Sequence, residues 1–145
     1  WRKDNWLDGD GYQCLGMVET QAEDPTAPPE LSVYCAENTW KTAVRLRRYT
    51  LRVDGFVSLN APLAGGEMVT KPLTFAGREL VLNMATSAAG SIHVEVQGAD
   101  GKPVEGFSLA ECDEVFGDSL DRVVTWKGRS DVSALAGQPI RLRFA

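Results

Sequence analysis

Residues 91–109, SIHVEVQGADGKPVEGFSL, decide the fold class of this chain. Apolar Ile92, Val94 and Val96 alternate with polar residues, the period-two pattern of a β-strand with one buried side and one solvent-facing side. Residues 99–102, ADGK, then supply the Asp-Gly chemistry of a tight turn, and a second extended run follows. The stretch therefore predicts a hairpin in an antiparallel sheet.

Further short extended segments lie on both sides of this hairpin, separated by Gly, Pro and polar turns, and include 17–20, 31–35, 42–53, 80–84, 123–126 and 140–144. Within 42–53 the parity of the apolar residues switches near Arg47, which indicates a bulge or a handover between two sheets. The one helical fragment expected is a single turn at 132–136, with Asp131 as N-cap and Gly137 as its stop. Together these segments predict an all-β fold, an antiparallel β-sandwich of jelly-roll-like type.

Composition limits the partners and the chemistry. The chain has 145 residues, a net charge of -5 and a sequence pI near 4.9, which argue against nucleic acid or an anionic membrane and suit a neutral ligand such as a sugar. Cys14, Cys35 and Cys112 have no CxxC spacing, so neither a disulfide framework nor a zinc site is expected. Free thiols are favoured over a Cys14–Cys35 bridge, and no metal or cofactor is predicted.

Three long phrases carry a family resemblance: residues 45–61, 65–107 and 122–144. They resemble a bacterial family of family-32-like glycosyl hydrolase proteins, in which a β-propeller is followed by a C-terminal β-sandwich. The resemblance implies that residues 1–44 are the last propeller strands and a linker. It implies that residues 45–145 are the sandwich. Because the sequence stops at an extended segment, we expect this sandwich to lack its closing strand. A bacterial source follows from it, and a secreted or periplasmic location is compatible with it.

The same resemblance places the catalytic carboxylates in the propeller, so no catalytic residue carries over to this chain. Its densest acidic run is AECDEVFGDSLD, which holds Glu111, Asp113, Glu114, Asp118 and Asp121. This run could be a carboxylate pair, a Ca²⁺ loop or a solvated acidic loop. The solvated loop is favoured because the DxDxDG spacing of a calcium loop is missing.

A carbohydrate site is the remaining candidate. Trp40, in a loop, could stack on a sugar ring, although Trp1, Trp6 and Trp40 could equally be interface residues. Trp126 shares parity with Val124 and is predicted to be core. Four arginines fall on outward-facing positions of two strands: Arg45, Arg47, Arg141 and Arg143. Together with His93 and Glu95 they could form a polar sheet face that hydrogen-bonds sugar hydroxyls. Cross-strand ion pairs are the favoured alternative for them.

The candidate carbohydrate-binding residues are therefore Trp40, His93, Glu95, Arg141 and Arg143. The function expected is a non-catalytic accessory β-sandwich of a glycoside-hydrolase-like protein, serving stability, docking or weak glycan contact. The alternative is a stand-alone carbohydrate-binding module. An enzyme with its own active site is disfavoured, because the lone His93 has no GxSxG elbow to serve. The partner is a carbohydrate or the remainder of the same protein.

Overall fold

A computed structural model of the chain describes residues 12–14, 16–38 and 43–145. It is all-β with antiparallel sheets, as predicted. The chain divides into two compact units, the first ending at Ser58 and the second spanning Leu59–Ala145. This division lies later than the predicted boundary after residue 44, because strand Arg45–Arg52 pairs along its length with a strand of the first unit.

The first unit contains one four-stranded antiparallel sheet of β1 (Tyr12–Gln13), β2 (Val18–Thr20), β3 (Glu30–Glu37) and β4 (Arg45–Arg52). β3 is central, with β4 on one side and both β1 and β2 on the other. The β3–β4 ladder runs without a register shift from Glu30 opposite Arg52 to Glu37 opposite Arg45. The predicted bulge or handover near Arg47 is therefore wrong.

The parity switch in β4 has a simpler cause, because this strand carries apolar side chains on both sides of the sheet. Leu46 is 63% exposed and lies on the side opposite to half-buried Leu51. The three cysteines are free, as favoured. In the β1–β3 pair Cys35 lies opposite Gln13, the residue before Cys14. Since side chains alternate along a strand, the side chains of Cys14 and Cys35 point to opposite sides of the sheet.

The second unit is a β-sandwich of two small antiparallel sheets. One sheet has the order β5 (Met68–Val69), β9 (Ile140–Phe144), β7 (Val94–Gly98), and the other pairs β6 (Val81–Ala85) with β8 (Asp118–Val123). β9 is paired on both sides, with β5 and with β7. The predicted helical turn is a 3-10 turn over Ser133–Leu135, where the Asp131 carboxylate accepts a hydrogen bond from Ser133 N–H.

One hydrophobic cluster fills the sandwich, and its buried members are Met84, Val94, Val96, Cys112, Val115, Val124, Trp126, Val132 and Ile140. Trp126 is fully buried, which confirms its predicted core position. Its indole N–H donates to the carbonyl of Val94 at 2.8 Å, and its ring meets Phe107 edge-on with centroids 5.2 Å apart. The polar atom of this large side chain is thus satisfied inside the core.

The stretch 91–109 departs from a simple hairpin. The tight turn forms as predicted, with Gly101 at a φ of 80° and its N–H bonded to the carbonyl of Gly98. The returning run forms one isolated bridge, between Pro103 and Gln97, with backbone hydrogen bonds from Gly98 N–H to the Lys102 carbonyl and from Val104 N–H to the Val96 carbonyl, and it does not continue as a ladder. Pro103 has no N–H to donate, and a second turn with Gly106 at a φ of 84° begins directly afterwards. The continuous ladder of β7 is formed with the distant β9.

Candidate functional site

The candidate site lies on the side of the β5–β9–β7 sheet that faces away from the core. Glu95 stands opposite Arg143 and Gln97 opposite Arg141 in the β7–β9 ladder. Since side chains alternate along a strand, His93 shares this side with them. We call these five residues the polar face. It brings together four of the five predicted site residues, and the fifth, Trp40, lies outside the described residues.

Glu95 is the buried centre of the polar face, with 4% of its surface exposed. Its Oε1 accepts a hydrogen bond from Gln97 Nε2 at 2.9 Å and lies 3.5 Å from Arg143 Nη1. Its Oε2 accepts from the backbone N–H of Leu109 at 3.2 Å. The prediction that Glu95 is solvent-facing is wrong, because the chain after the tight turn returns across it. Gln97 is buried as well, and His93 is half-buried.

Burial alone would raise the pKa of Glu95. The hydrogen bonds from Gln97 and Leu109 and the positive charge of Arg143 more than offset this effect, and the pKa lies below its ordinary value. Glu95 is therefore ionised at neutral pH.

Arg143 connects Glu95 to a second carboxylate, that of Glu67. Nη2 and Nε of Arg143 donate to the two oxygens of Glu67 at 2.8 and 3.2 Å, the paired geometry that guanidinium and carboxylate groups favour. The bond to Glu67 raises the pKa of Arg143, and the charge of Glu95 adds to this. We call Glu67, Arg143 and Glu95 the ion-pair chain. The cross-strand ion pairs that we favoured are confirmed for Arg143.

Arg141 occupies a different environment on the same strand. Its Nη1 donates to the backbone carbonyl of Thr70 at 3.3 Å, and no carboxylate of the described residues pairs with it. The side chain is half-buried, beside Gln97 across the ladder. Arg141 and Arg143, two residues apart on β9, thus differ, because carboxylates balance the charge of Arg143 and no described carboxylate balances that of Arg141.

The acidic run holds a turn in place. Glu111 pairs with Lys127 at 2.7 Å and accepts from the Ser108 hydroxyl at 2.9 Å, and these bonds lower its pKa to about 2. Asp113 accepts from Thr125 Oγ1 and Gly128 N–H, which lowers its pKa as well. Among the described residues, no group of three or more His, Cys, Asp or Glu side chains is placed to hold a metal ion.

A second buried carboxylate, in the first unit, was not singled out from the sequence. Glu37 is 1% exposed, and its Oε1 accepts a 2.6 Å bond from the Tyr49 hydroxyl, which raises the pKa of Tyr49. Its Oε2 lies 2.8 Å from Nε of Arg47 and 3.3 Å from Nε of Arg45. The Arg47 contact is an ion pair rather than an aligned hydrogen bond.

The signal for this cluster was the shared parity of Glu37, Arg45 and Arg47 once β3 and β4 are paired. Our prediction placed all four outward-facing arginines together. Arg45 and Arg47 instead lie in the sheet of the first unit, and Arg141 and Arg143 in a sheet of the second. They do form the expected pairs with carboxylates, apart from Arg141.

Comparisons of this chain with family models, with curated proteins and with solved structures returned no significant match. No helix within the described ranges is long and apolar enough to cross a membrane.

Proposed function

We propose that this chain is a non-catalytic accessory β-sandwich of a larger glycoside-hydrolase-like protein. It serves the stability and docking of that protein and makes weak contact with glycans through the polar face. The phrases at 45–61, 65–107 and 122–144, which resemble such proteins, support this proposal. The observation that carries the non-catalytic part is the ion-pair chain.

Sugar hydrolysis by two carboxyl groups needs one of them to be protonated near neutral pH, so that it can act as a general acid. The polar face offers the opposite chemistry, because Glu95 has a lowered pKa and both of its oxygens accept from fixed donors. Glu67 is likewise bound through both oxygens by Arg143. Such carboxylates orient neighbouring groups and do not transfer protons to a substrate.

A stand-alone carbohydrate-binding module is the second candidate. The mixture of donors and acceptors on the polar face favours it, because sugar hydroxyls both donate and accept. Arg141 supplies a donor, Gln97 supplies an amide oxygen, and half-buried His93 borders them. A stacking role for Trp40 remains part of this proposal.

Glycan binding is tested by affinity electrophoresis of the full chain through gels that contain polysaccharides of different composition. If it is a binding module, at least one glycan retards it, and Trp40→Ala or Arg141→Ala abolishes the retardation. Arg122→Ala, at an exposed position on β8, is the matched control. Retardation by no glycan removes the stand-alone module and leaves stability and docking.

Docking is tested on the product of the full-length gene, with and without residues 59–145, the second unit. The proposal expects a lower midpoint of thermal unfolding for the remainder after deletion, with unchanged specificity of any glycosidase activity. Hydrolysis of an aryl glycoside by the isolated chain, abolished by Glu95→Gln, would overturn the non-catalytic assignment.

A further inference from the structure

We infer that Arg141 binds the carboxylate of an acidic glycan, so that the preferred ligand of the polar face is a polyuronate and not a neutral polysaccharide. This inference rests on the glycan contact in the proposed function and names its ligand class. It departs from the expectation that the acidic composition of the chain suits a neutral sugar. The argument starts from the difference between the two arginines of β9.

Arg143 has its charge balanced by two carboxylates, Glu67 and Glu95. Arg141 has no such partner in the described part of the chain, and its single hydrogen bond goes to an uncharged carbonyl at 3.3 Å. A guanidinium carries five N–H donors in a planar fork that matches a carboxylate. Among the described residues, a hydrogen bond is formed by Nη1 of Arg141 alone.

Neighbouring groups restrict the orientation of Arg141 and prevent its collapse onto Glu95. The bond to Thr70 anchors one of its terminal nitrogens, and Glu95 is already occupied by Gln97, Leu109 and Arg143. Partial burial strengthens a charged hydrogen bond relative to one in open water. The site is thus partly organised before a ligand arrives.

Gln97 adds an acceptor next to this donor. It is 8% exposed, and its Nε2 is directed to Glu95, which fixes the orientation of the amide group. Directly opposed residues of an antiparallel pair have Cβ atoms about 5 Å apart. Arg141 and Gln97 are therefore spaced to engage the carboxylate and a hydroxyl of the same uronic acid ring.

The net charge of -5 does not prevent such binding, because distant surface charges are screened beyond about 10 Å at moderate salt. Both carboxylates of the ion-pair chain already contact Arg143. A contact that depends on one guanidinium is expected to be weak and to weaken further with salt.

The test is affinity electrophoresis and titration calorimetry of the full chain at about 0.1 M ionic strength with polygalacturonate and with its fully methyl-esterified form. The two polymers share a backbone and differ in charge. Binding to polygalacturonate, its loss on esterification, and a decrease of about tenfold or more in Arg141→Ala are expected. Arg141→Lys keeps the charge without the fork and should bind with intermediate affinity. Arg122→Ala should bind as the parent does.

Other outcomes overturn the inference in distinguishable ways. If the esterified polymer binds equally well, the ligand carboxylate is not what Arg141 recognises. If dextran sulfate binds as strongly as polygalacturonate, the site recognises polyanions in general and not uronic acids. Binding of neutral glycans alone overturns the inference and leaves the proposed function intact. Binding of no glycan overturns it and limits the proposed function to stability and docking, which the deletion experiment tests separately. Circular dichroism of each variant confirms that its fold is retained.

Discussion

The two units of this chain bury different kinds of side chain. All buried hydrophobic side chains among the described residues belong to the second unit, from Met84 to Ile140. The described side chains buried in the first unit are Ser32 and Glu37, both polar. The second unit is therefore held by non-directional hydrophobic burial, whereas the first sheet depends on directional polar contacts across its strands.

Those polar contacts lie on both sides of the first sheet. On one side, Arg48 Nε donates to Ser32 Oγ at 2.7 Å, and Arg48 Nη2 reaches Thr20 Oγ1 and Glu30 Oε1. This links β2, β3 and β4. On the other side, Glu37 links β3 to β4 through Tyr49 and the two arginines. Each network is sensitive to the loss of one member, because the groups that remain need new partners.

The largest effect is expected in the second unit for Trp126→Ala. The substitution removes a fully buried ring and the hydrogen bond to Val94, and comparable core truncations cost about 3–5 kcal/mol of unfolding free energy. Chemical denaturation followed by far-UV circular dichroism measures the loss. Phe116→Ala, at a position 59% exposed, is the control and should change the free energy by less than about 1 kcal/mol. Equal effects of the two would show that the apolar cluster is not what holds this unit.

The corresponding substitution in the first unit is Glu37→Ala. It removes the acceptor of Tyr49 and leaves two arginines on the same side of β4 without their shared carboxylate, which we expect to cost about 1–3 kcal/mol locally. Arg45 is 53% exposed and Arg47 30%, so water relieves part of their repulsion. Amide hydrogen exchange in β3 and β4 reports the change, with Glu19→Ala on exposed β2 as the control. Protection that is equal in both variants would contradict a stabilising role for Glu37.

The difference between the units explains which features could be predicted from the sequence. The alternation of apolar and polar residues predicted the strands, the core side of β7 and the position of Trp126. It could do so because the buried residues of a strand recur at every second position within one short segment. The burial of Glu95 could not be predicted in this way, since the donors that cover it come from Leu109 and Arg143. The hydrogen-bond partners of a buried polar group come from residues distant in sequence, and the periodicity of one segment does not identify them.

The same reasoning applies to the sheet order and the candidate site. The turn at 99–102 was readable from its Asp-Gly pair, whereas the pairing of β7 with β9 joins segments separated by about forty residues, a long-range contact outside local patterns. The four site residues of the second unit were predicted individually. The structure divides them into Arg143, which pairs with two carboxylates, and Arg141, which pairs with no carboxylate of the described residues. This division depends on Glu67, just before β5, which the sequence analysis did not single out.

A third prediction concerns the stability of the second unit at low pH, to which its polar contacts contribute. The pKa of Glu111 is about 2 in the folded chain against an ordinary 4.5, so its contribution is present above pH 4.5 and is lost as the pH falls toward 2. The lowered pKa of Glu95 acts in the same direction. Unfolding midpoints measured from pH 6 to pH 2 should fall less steeply in Glu111→Gln than in the parent. Parallel curves would mean that the Lys127 contact persists in the unfolded chain or contributes nothing.

The smallest expected effect is the difference between substituting Arg45 and substituting Arg47, the two arginines that pair with Glu37. Arg47 is less exposed than Arg45 and its Nε is closer to the carboxylate, 2.8 against 3.3 Å. A less exposed pair is less screened, so Arg47→Met should reduce the protection of β3 and β4 amides by about 1 kcal/mol, and Arg45→Met by only a few tenths. Added salt should diminish the Arg45 effect first. If the order is reversed, the first sheet is stabilised by the outer pair, and Glu37 is buried for a reason other than its contact with Arg47.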